Sequence, residues 1–398
     1  MKSIKNILFL SPQLPYPPIS GGVIKSWRLV EFLSHRYDLS VATFLKNDEN
    51  KDVNTFLDLV QLKHHYFEPI DIPRTSINLI KSNLLLLPLN LFRNRSNAFA
   101  QNIKQLIQSS DAIFVDHYEM FQYVPKDYKG KIILHQHNCE YLIWERFSEL
   151  ENNLIKKIAL KNQAFWIRKY EKNICEISDT ILAAPNDIHE LVKIGAKQEK
   201  FYETYHLGDA ELLELKPLNW SQSENAILFI GTLTWEANID AVLYFLRDIW
   251  PKLLSKNPDT KFYIVGKNPD QRIIQLANES SNVILTGFVT DLEDYYSKCK
   301  VFISPLRFGS GIKVKVMNAL YRGIPTVSTT IGAEGLAVEN KVSMMITDSP
   351  QKFADDILQL MNNENLWKTI SENSRKLAQD IYTWEAVFEK VIEAIEKK

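Results

Sequence analysis

Short apolar runs alternate with longer amphipathic stretches along most of this chain, and this alternation limits the fold more than any other feature. A run of four to six apolar residues is typical of a buried strand, whereas a longer amphipathic stretch is typical of a helix. The predicted strands are residues 6–10, 39–44, 112–115, 131–135, 180–184, 226–230, 261–265, 283–286, 301–304 and 325–329. Strands that alternate with helices form a parallel sheet covered by helices, so we predict an α/β fold.

The pattern breaks once, in a polar stretch near residues 215–225, and then begins again. A chain of 398 residues is long enough for two or three domains of about 150 residues each. We therefore expect two doubly wound α/β domains, one at residues 1–212 and one at residues 213–379.

Charge and cysteine content exclude several classes of protein. The chain has 47 Lys and Arg against 48 Asp and Glu, so it lacks the basic surplus of a nucleic-acid-binding protein. Its three cysteines are scattered, which argues against a disulfide framework or a zinc site and favours a reducing compartment. No segment has the 18 or more apolar residues of a membrane span. We expect a cytoplasmic protein without a nucleic-acid partner.

A leucine-rich stretch at residues 77–95 carries basic residues within it and on its flank, namely Arg74, Lys81, Arg93 and Arg95. Leucines beside basic residues suit the surface of an anionic bilayer. A buried helix with basic ends would have the same composition. The sequence thus allows either a peripheral contact at the inner face of the membrane or a buried helix.

Glycine is scarce, at 13 residues, yet eight of the glycines fall between Gly231 and Gly335. Four successive predicted strands of the second domain are followed by glycine, at residues 231, 266, 287 and then 309 and 311. Ligands of open parallel sheets bind beyond the carboxyl ends of the strands, where close approach to the backbone favours glycine. Ordinary strand-to-helix turns would also use glycine, but the regularity favours a ligand site.

The segment after the fourth of these strands has the features of an anion site. A Gly309-Ser310-Gly311 turn opens a predicted helix whose first turn contains Lys313 and Lys315. Free backbone N–H groups, the helix dipole and two ammonium groups suit a diphosphate, although a solvated basic turn would look the same. Asn318 lies three residues after Lys315, on the same helix face. The third glycine of a dinucleotide fingerprint is missing, which argues against a nicotinamide oxidoreductase.

Residues 229–241, 264–267, 286–292, 309–315, 323–329 and 332–336 resemble, in order, the motifs of the retaining glycosyltransferases of family 4. The resemblance implies a GT-B fold, in which two Rossmann-like domains face each other and a C-terminal helix, here within residues 380–398, packs back on the first domain. It also implies a nucleotide-sugar donor on the second domain. Gly231 and Thr232 would lie near its phosphates, Gly287 and Phe288 near its base, and Gly309, Ser310, Gly311, Lys313 and Lys315 around the diphosphate.

The chain departs from the family pattern in two ways. The basic pair that is common in the loop after the first strand of this domain is replaced by Trp235, Glu236 and Asn238, so Lys313 and Lys315 would supply the positive charge instead. Phe308 and Asn318 occupy positions where many relatives have glutamates, one contacting the sugar and one the ribose. Asn318 retains the ability to bond a ribose hydroxyl but carries no charge.

In the first domain, the Gly21-Gly22 turn resembles the family's glycine loop, and His137 matches a His-Asn-x-Glu pattern that ends at Glu140. His117 and Glu119 follow another predicted strand. The resemblance places Gly21, Gly22, His117, Glu119 and Glu140 on the acceptor side; ordinary turns and a core histidine are the alternatives. His135 and His137 point the same way, as metal ligands do, but the sequence offers no third ligand, so we predict no metal.

The activity implied is that of a metal-independent, retaining hexosyltransferase or related glycosyltransferase with His137 and Lys315 as catalytic residues. Its co-substrate would be a nucleotide-diphosphate sugar, with no further cofactor. Its acceptor would be a glycan or a lipid-linked glycan of cell-surface polysaccharide biosynthesis. A nucleotide-sugar-binding protein without transfer activity and a GT-B nucleotide-sugar epimerase remain as alternatives.

Overall fold

The structure is a computed structural model that describes residues 4–19, 21–46, 49–205 and 207–397. These residues form two compact units. The first contains the described residues up to 205 together with those from 384 onward, and the second contains residues 207–383.

Each unit is built on one sheet. The strands are β1 (Asn6–Ser11), β2 (Asp38–Leu45), β3 (His64–Pro69), β4 (Ala112–Asp116), β5 (Lys131–His135), β6 (Thr180–Ala183), β7 (Phe201–Glu203), β8 (Glu224–Ile230), β9 (Lys261–Val265), β10 (Val283–Gly287), β11 (Cys299–Ser304), β12 (Thr326–Ser328) and β13 (Met345–Ile346). The first seven belong to the first unit and the other six to the second.

The helices of the first unit are α1 (Gly21–Ser34), α2 (Val53–Leu59), α3 (Ser76–Leu84), α4 (Leu89–Arg93), α5 (Asn97–Asn102), α6 (Lys104–Ser109), α7 (Glu140–Leu150), α8 (Leu154–Ile177) and α9 (Pro185–Lys193). Those of the second are α10 (Glu236–Tyr244), α11 (Trp250–Leu254), α12 (Gln271–Ala277), α13 (Glu293–Lys298), α14 (Val314–Arg322), α15 (Pro350–Asn362) and α16 (Glu364–Ile381). The last helix, α17 (Trp384–Glu396), returns to the first unit. Among the described helices, none has the length and apolar composition needed to cross a bilayer.

Both sheets are parallel and have the same strand order. The first runs β3-β2-β1-β4-β5-β6-β7 and the second β10-β9-β8-β11-β12-β13. In each sheet the order reverses between the first and fourth strands of the unit, which leaves a crevice at their carboxyl ends where such sheets bind ligands. The predicted fold class, two doubly wound Rossmann-like units, is confirmed.

Continuous apolar runs explain why the central strands lie inside. Every residue of β4 and of β11 is buried, as expected for strands that helices cover on both faces. The rings of Phe9 in β1 and Phe114 in β4 stack at 5.2 Å and join the two strands at the centre of the first sheet.

The three strands missing from the prediction all lie at sheet edges. β3 has no buried residue, β7 has three residues and β13 has two. A short or half-exposed strand has no continuous apolar run, so the pattern that locates buried strands does not detect it. Helix α1 also begins at Gly21 rather than at Lys25; Ser20, part of the predicted glycine loop, lies outside the described residues.

The chain passes between the units at positions slightly different from those expected. Residues 207–212 lie in the second unit, where the Arg375 guanidinium donates hydrogen bonds to the carbonyl oxygens of Leu212 and Leu213. Residues 380–383 also remain there, because the Tyr321 hydroxyl donates to the Tyr382 carbonyl oxygen over 2.8 Å. The packing back on the first unit therefore begins at Trp384 rather than at residue 380.

Helix α17 packs against β5, β6 and β7. The Thr180 hydroxyl of β6 donates to the Ala394 carbonyl oxygen over 3.0 Å, and the Lys131 ammonium of β5 donates to the Ile395 carbonyl oxygen over 2.9 Å. The rings of Phe32 in α1 and Phe388 stack at 4.1 Å. The C-terminal helix thus completes the first unit.

Candidate functional site

In the second unit, the turns after β8, β9 and β10 lie side by side. The Gly231 N–H donates to the Val265 carbonyl oxygen and the Gly266 N–H to the Gly287 carbonyl oxygen, each over 3.0 Å. A Cβ atom added to Gly266 would lie 2.1 Å from the Gly231 carbonyl oxygen, so a side chain does not fit there. The predicted glycine-rich edge is therefore a surface of main-chain atoms next to the β8–β11 switch point. We call this surface, at Gly231, Gly266 and Gly287, the main-chain floor.

The loop after β11 leads into α14, and Lys315 lies in the first turn of that helix. Its ammonium donates to Asn238 Oδ1 over 2.7 Å and lies 4.0 Å from the centre of the Phe229 ring. Asn238 in turn donates to the Thr232 carbonyl oxygen over 3.0 Å. Lys315 is thereby attached to the turn after β8, across the switch point from its own helix.

Burial lowers the pKa of Lys315 to about 7, and the neighbouring Lys313 charge acts in the same direction. No carboxylate of the described residues forms an ion pair with this ammonium; its hydrogen-bond acceptor is the neutral Asn238 amide. An anion bound here would stabilise the protonated form of Lys315.

Lys313 and Lys315 were predicted to have the same role, but their hydrogen-bond and ion-pair partners differ. Its ammonium donates to the Gly311 carbonyl oxygen over 2.6 Å and lies 3.5 Å from Glu334 Oε2. It therefore rigidifies the Gly309–Gly311 loop, and Glu334 balances part of its charge. Gly311 has φ +71°, a left-handed conformation that favours glycine at this turn.

The other predicted donor residues have mixed environments. Ser310 is buried, whereas Thr232 and Phe288 are exposed, Phe288 to 64%. Phe308, which departs from the family pattern, is also buried. The Asn318 Oδ1 atom accepts a hydrogen bond from the Asp209 N–H over 2.9 Å. That oxygen, predicted to face a ribose, therefore holds the start of the second unit in this structure.

A second cluster lies at the switch point of the first unit, around Asp116 at the end of β4. Asp116 Oδ1 lies 2.7 Å from His135 Nδ1 and 2.6 Å from His137 Nε2. Asp116 Oδ2 accepts hydrogen bonds from the hydroxyls of Ser26 over 2.6 Å and Ser11 over 3.4 Å. One fully buried carboxylate thus joins β1, β4, β5 and α1.

His117 follows Asp116 and has φ +71°, which is uncommon outside glycine. Its ring stacks on His137 at 3.5 Å with an interplanar angle of 11°. A Cβ atom added to Gly22 would lie 3.6 Å from His137 Nδ1 and 3.8 Å from His117 Cε1. The structure therefore brings the predicted residues Gly22, His117 and His137 together.

The electrostatics of this cluster follow from burial. Burial lowers the pKa of His117 to about 3 and that of His135 well below its usual value, and His137 acts in the same direction on both. Burial alone would raise the pKa of Asp116, but His137, His117 and the hydrogen bonds from His135 and His137 hold it well below the usual range. The cluster contains a buried anion.

Lys25 also lies in the environment of Asp116, but it was not among the residues predicted from the sequence. It is 1% exposed, and its ammonium donates to the Thr204 hydroxyl over 3.0 Å. Burial lowers the pKa of Lys25 to about 7, while Asp116 and Asp187 oppose that shift. A lysine within a helix gives no sequence signal of burial, and its partners are remote in the chain.

The structure supplies the third metal ligand that the sequence lacked, because Asp116, His135 and His137 offer ligand atoms within 4.8 Å of one another. Both histidines are, however, at hydrogen-bond distance from the same carboxylate oxygen. A metal would have to replace both hydrogen bonds beside the Lys25 ammonium, which attracts Asp116. The arrangement fits a hydrogen-bonded network better than a metal centre, and the absence of a metal stays a prediction.

Glu119 and Glu140 belong to a separate carboxylate pair. Glu140 Oε1 accepts a hydrogen bond from Asn90 Nδ2 over 2.9 Å. Burial and the Glu140 charge raise the pKa of Glu119 to about 7, and burial raises that of Glu140. These two predicted acceptor-side residues therefore form an acidic pair of their own.

Comparison with known proteins gives matches to both sequence and fold. Residues 224–363 match the family model described as Glycosyl transferases group 1. An uncharacterized 44.6 kDa protein in the cps region of Klebsiella pneumoniae is 24% identical over 97% of this chain and 98% of its own length. The capsular polysaccharide biosynthesis glycosyltransferase CapM of Staphylococcus aureus is 24% identical over 60% of this chain and 63% of its own length.

Two of the similar solved structures cover nearly all of the chain. Anabaena HepE, solved with UDP and glucose, has a TM-score of 0.69 and 14% identity, and the match covers 100% of both chains. Staphylococcus aureus TarM, solved with fondaparinux, α-GlcNAc-glycerol and UDP, has a TM-score of 0.71 and 13% identity over 99% of this chain and 100% of its own. The fold is therefore that of these proteins.

Proposed function

We propose that this protein is a retaining, metal-independent glycosyltransferase that moves a sugar from a nucleoside-diphosphate sugar to a glycan or lipid-linked acceptor of a cell-surface polysaccharide. The group 1 match in the second unit and the names of the relatives support transfer activity and a role in capsule-type polysaccharides. The UDP complexes of HepE and TarM support a nucleotide donor. Three buried, unpaired cysteine thiols are consistent with a reducing compartment such as the cytoplasm.

The observation that carries the proposal is the environment of Lys315. Its ammonium is desolvated, has an amide rather than a carboxylate as its acceptor, and lies beside a floor of glycine main chain at a switch point. A diphosphate would supply the missing negative charge, and the protonated lysine would stabilise the charge that develops on the leaving nucleoside diphosphate.

In the first unit, His137 is the proposed contact for the transferred sugar or the acceptor. The carboxylate of Asp116 fixes the His137 ring through Nε2, and Gly22, which has no side chain, lies next to Nδ1. On this proposal Asp116 is a positioning residue, because it acts through His137.

The test uses the protonation of Lys315. Near pH 8 this lysine is mostly neutral in the free protein, because its pKa is about 7, and a bound diphosphate would raise that pKa. Calorimetric titration with UDP, GDP and dTDP sugars in buffers of different ionisation enthalpy should therefore reveal uptake of nearly one proton per nucleotide bound. The Lys315→Met variant should lose measurable affinity.

The Lys315→Arg variant is the matched control, because a guanidinium keeps the charge and stays protonated at this pH. It should bind more weakly than the native chain but without proton uptake. Unchanged affinity and proton uptake in the methionine variant would contradict the assignment of Lys315.

The reaction itself separates the alternatives. A transferase forms a new glycosidic bond on an acceptor, with the anomeric configuration retained in the NMR spectrum of the product, and its activity should persist in EDTA. An epimerase changes the nucleotide sugar without an acceptor, and a binding protein leaves it unchanged.

A further inference from the structure

Five large apolar side chains are exposed within ten residues of the first unit. Each of them is at least 59% exposed; they are Ile77, Ile80, Leu84, Leu85 and Leu86. Helix α3 presents the first three at spacings of three and four residues, on one face. The turn after the helix continues the apolar surface, with Leu86 at φ +54°. These five side chains are therefore not buried as the buried-helix alternative for this stretch would require.

The first half of α8 carries a second set of the same kind. Leu154, Ile155, Ile158 and Phe165 are each at least 52% exposed. Ile155, Ile158 and Phe165 recur at spacings of three and seven residues, which places them along one side of the helix. The opposite side is buried and includes Leu160, Ala164 and Ile167.

The two segments are joined by a buried polar bridge. Gln163 of α8 donates from Nε2 to the Ser82 hydroxyl of α3 over 3.3 Å, and its Oε1 accepts from the Leu89 N–H over 2.7 Å. Gln163 and Ser82 are fully buried. The bridge fixes α3 beside α8, so both exposed sets belong to one rigid part of the unit.

Charge distinguishes these segments from the rest of a nearly neutral chain. Residues 72–110 contain no Asp or Glu, and residues 152–170 contain none either. Their basic residues are Arg74, Lys81, Arg93, Arg95, Lys104, Lys156, Lys157, Lys161, Arg168 and Lys169. The two sets of exposed apolar residues thus coincide with two stretches whose formal charges are all positive.

We propose that α3, its following turn and the first half of α8 form an apolar–basic surface that binds an anionic phospholipid bilayer. Apolar side chains would enter the boundary between headgroups and acyl chains, while lysines and arginines would pair with lipid phosphates. A protein partner is less well matched, because lysine is depleted at protein interfaces whereas here it is interspersed with the apolar residues. The inference does not depend on the proposed enzymatic activity.

Sedimentation of the full chain with vesicles tests it. We expect co-sedimentation with vesicles of phosphatidylglycerol and phosphatidylcholine in a 1:2 ratio, weak binding to pure phosphatidylcholine, and release by 0.5 M salt. Ile80→Ser/Leu84→Ser/Leu85→Ser should weaken partitioning by at least about 100-fold, since three apolar anchors are lost. Lys81→Gln/Lys161→Gln should weaken it by about 25-fold, at roughly fivefold per charge.

Matched controls replace similar residues elsewhere on the surface. Leu59→Ser/Leu215→Ser/Val342→Ser removes three exposed apolar side chains, and Lys126→Gln/Lys129→Gln removes two exposed lysines; both should bind vesicles as the native chain does. Failure of the native chain to co-sediment, equal binding to neutral vesicles, or equal loss in the controls would overturn the proposal. So would a stable dimer that the leucine variants dissociate, because a second copy would then occupy the surface.

Discussion

At the level of single residues, the neutral state of His117 makes the stability of the Asp116 cluster depend on pH. The pKa of this histidine falls from 6.5 to about 3 on folding, because burial and the nearby His137 disfavour the charged ring. Below about pH 6.5 the unfolded chain takes up a proton at this position and the folded chain does not. The contribution of His117 to the free energy of unfolding therefore decreases as the pH falls from 6.5 towards 3.

At pH 5, His117 should lower the free energy of unfolding by about 2 kcal/mol relative to its value well above pH 6.5. Urea unfolding of the His117→Asn variant, compared with the native chain at pH 7.5 and pH 5, measures it. Asparagine tolerates the positive φ at this position, so the variant removes the titration without adding backbone strain. The exposed histidine variant His189→Asn is the control. An equal decrease in His117→Asn and the native chain would contradict the assignment.

Sequence reasoning identified the members of this cluster unevenly. His117 and His137 were found because they follow strand ends, where side chains meet at one edge of the sheet. The central position of Asp116 was missed, since its four hydrogen-bond partners, Ser11, Ser26, His135 and His137, are separated from it by 19 to 105 residues. Lys25 was missed for the same reason: no local pattern reveals which distant strands will enclose an ammonium group.

At the level of elements, the prediction located the strands that have a continuous apolar run in the sequence. Strands β5 and β9 have the predicted bounds, and the turn of Gly231 follows β8 as expected. The edge strand β3 was missed because its residues, half of them exposed, form a ladder with β2 through the backbone. Strands can pair through main-chain hydrogen bonds without a particular pattern of apolar residues, so the sequence does not reveal such a strand.

The segment that opens the second unit is held by Arg375 of α16 as well as by Asn318 of α14. The Arg375 guanidinium donates to the carbonyl oxygens of Leu212, Leu213 and Leu215, and also to those of Tyr321 and Arg322 at the end of α14. It therefore attaches residues 212–215 to the helix that carries Lys315.

Replacement of this arginine should free the segment. Arg375→Met leaves those carbonyl oxygens without their donor, and we expect a loss of about 1–2 kcal/mol in stability and faster proteolytic cleavage within residues 210–216. Limited proteolysis followed by mass spectrometry locates the cut. The exposed neighbour variant Lys376→Met should be cleaved at the native rate, and equal rates for both variants would show that Arg375 does not hold the segment.

At the level of the whole molecule, the first unit is assembled from two separated parts of the chain. Its sheet and α1–α9 come from residues before 206, whereas α17 arrives only after the second unit is complete. The helix buries Val387, Val391, Ala394 and Ile395. The first unit therefore cannot finish folding until the whole chain has been made.

A chain that ends at Thr383 tests this dependence. Loss of four buried apolar side chains and of the Phe32–Phe388 stack removes several kcal/mol, a large part of the stability of a typical domain. Calorimetry should show that the transition of the first unit is lost or shifted far down, while that of residues 207–383 is retained. Glu389→Ala, an exposed change on the same helix, should leave both transitions in place; an unchanged thermogram for the shortened chain would contradict the expectation.

The main-chain floor of the second unit has a consequence for how such proteins diverge. Because the Gly231 carbonyl oxygen occupies the space where a Cβ of residue 266 would lie, the shape of the floor depends on the absence of side chains and not on their identity. On the proposed function, substitution of the side chains around this floor would change which sugar nucleotide is recognised, while the main-chain surface beneath it kept its shape.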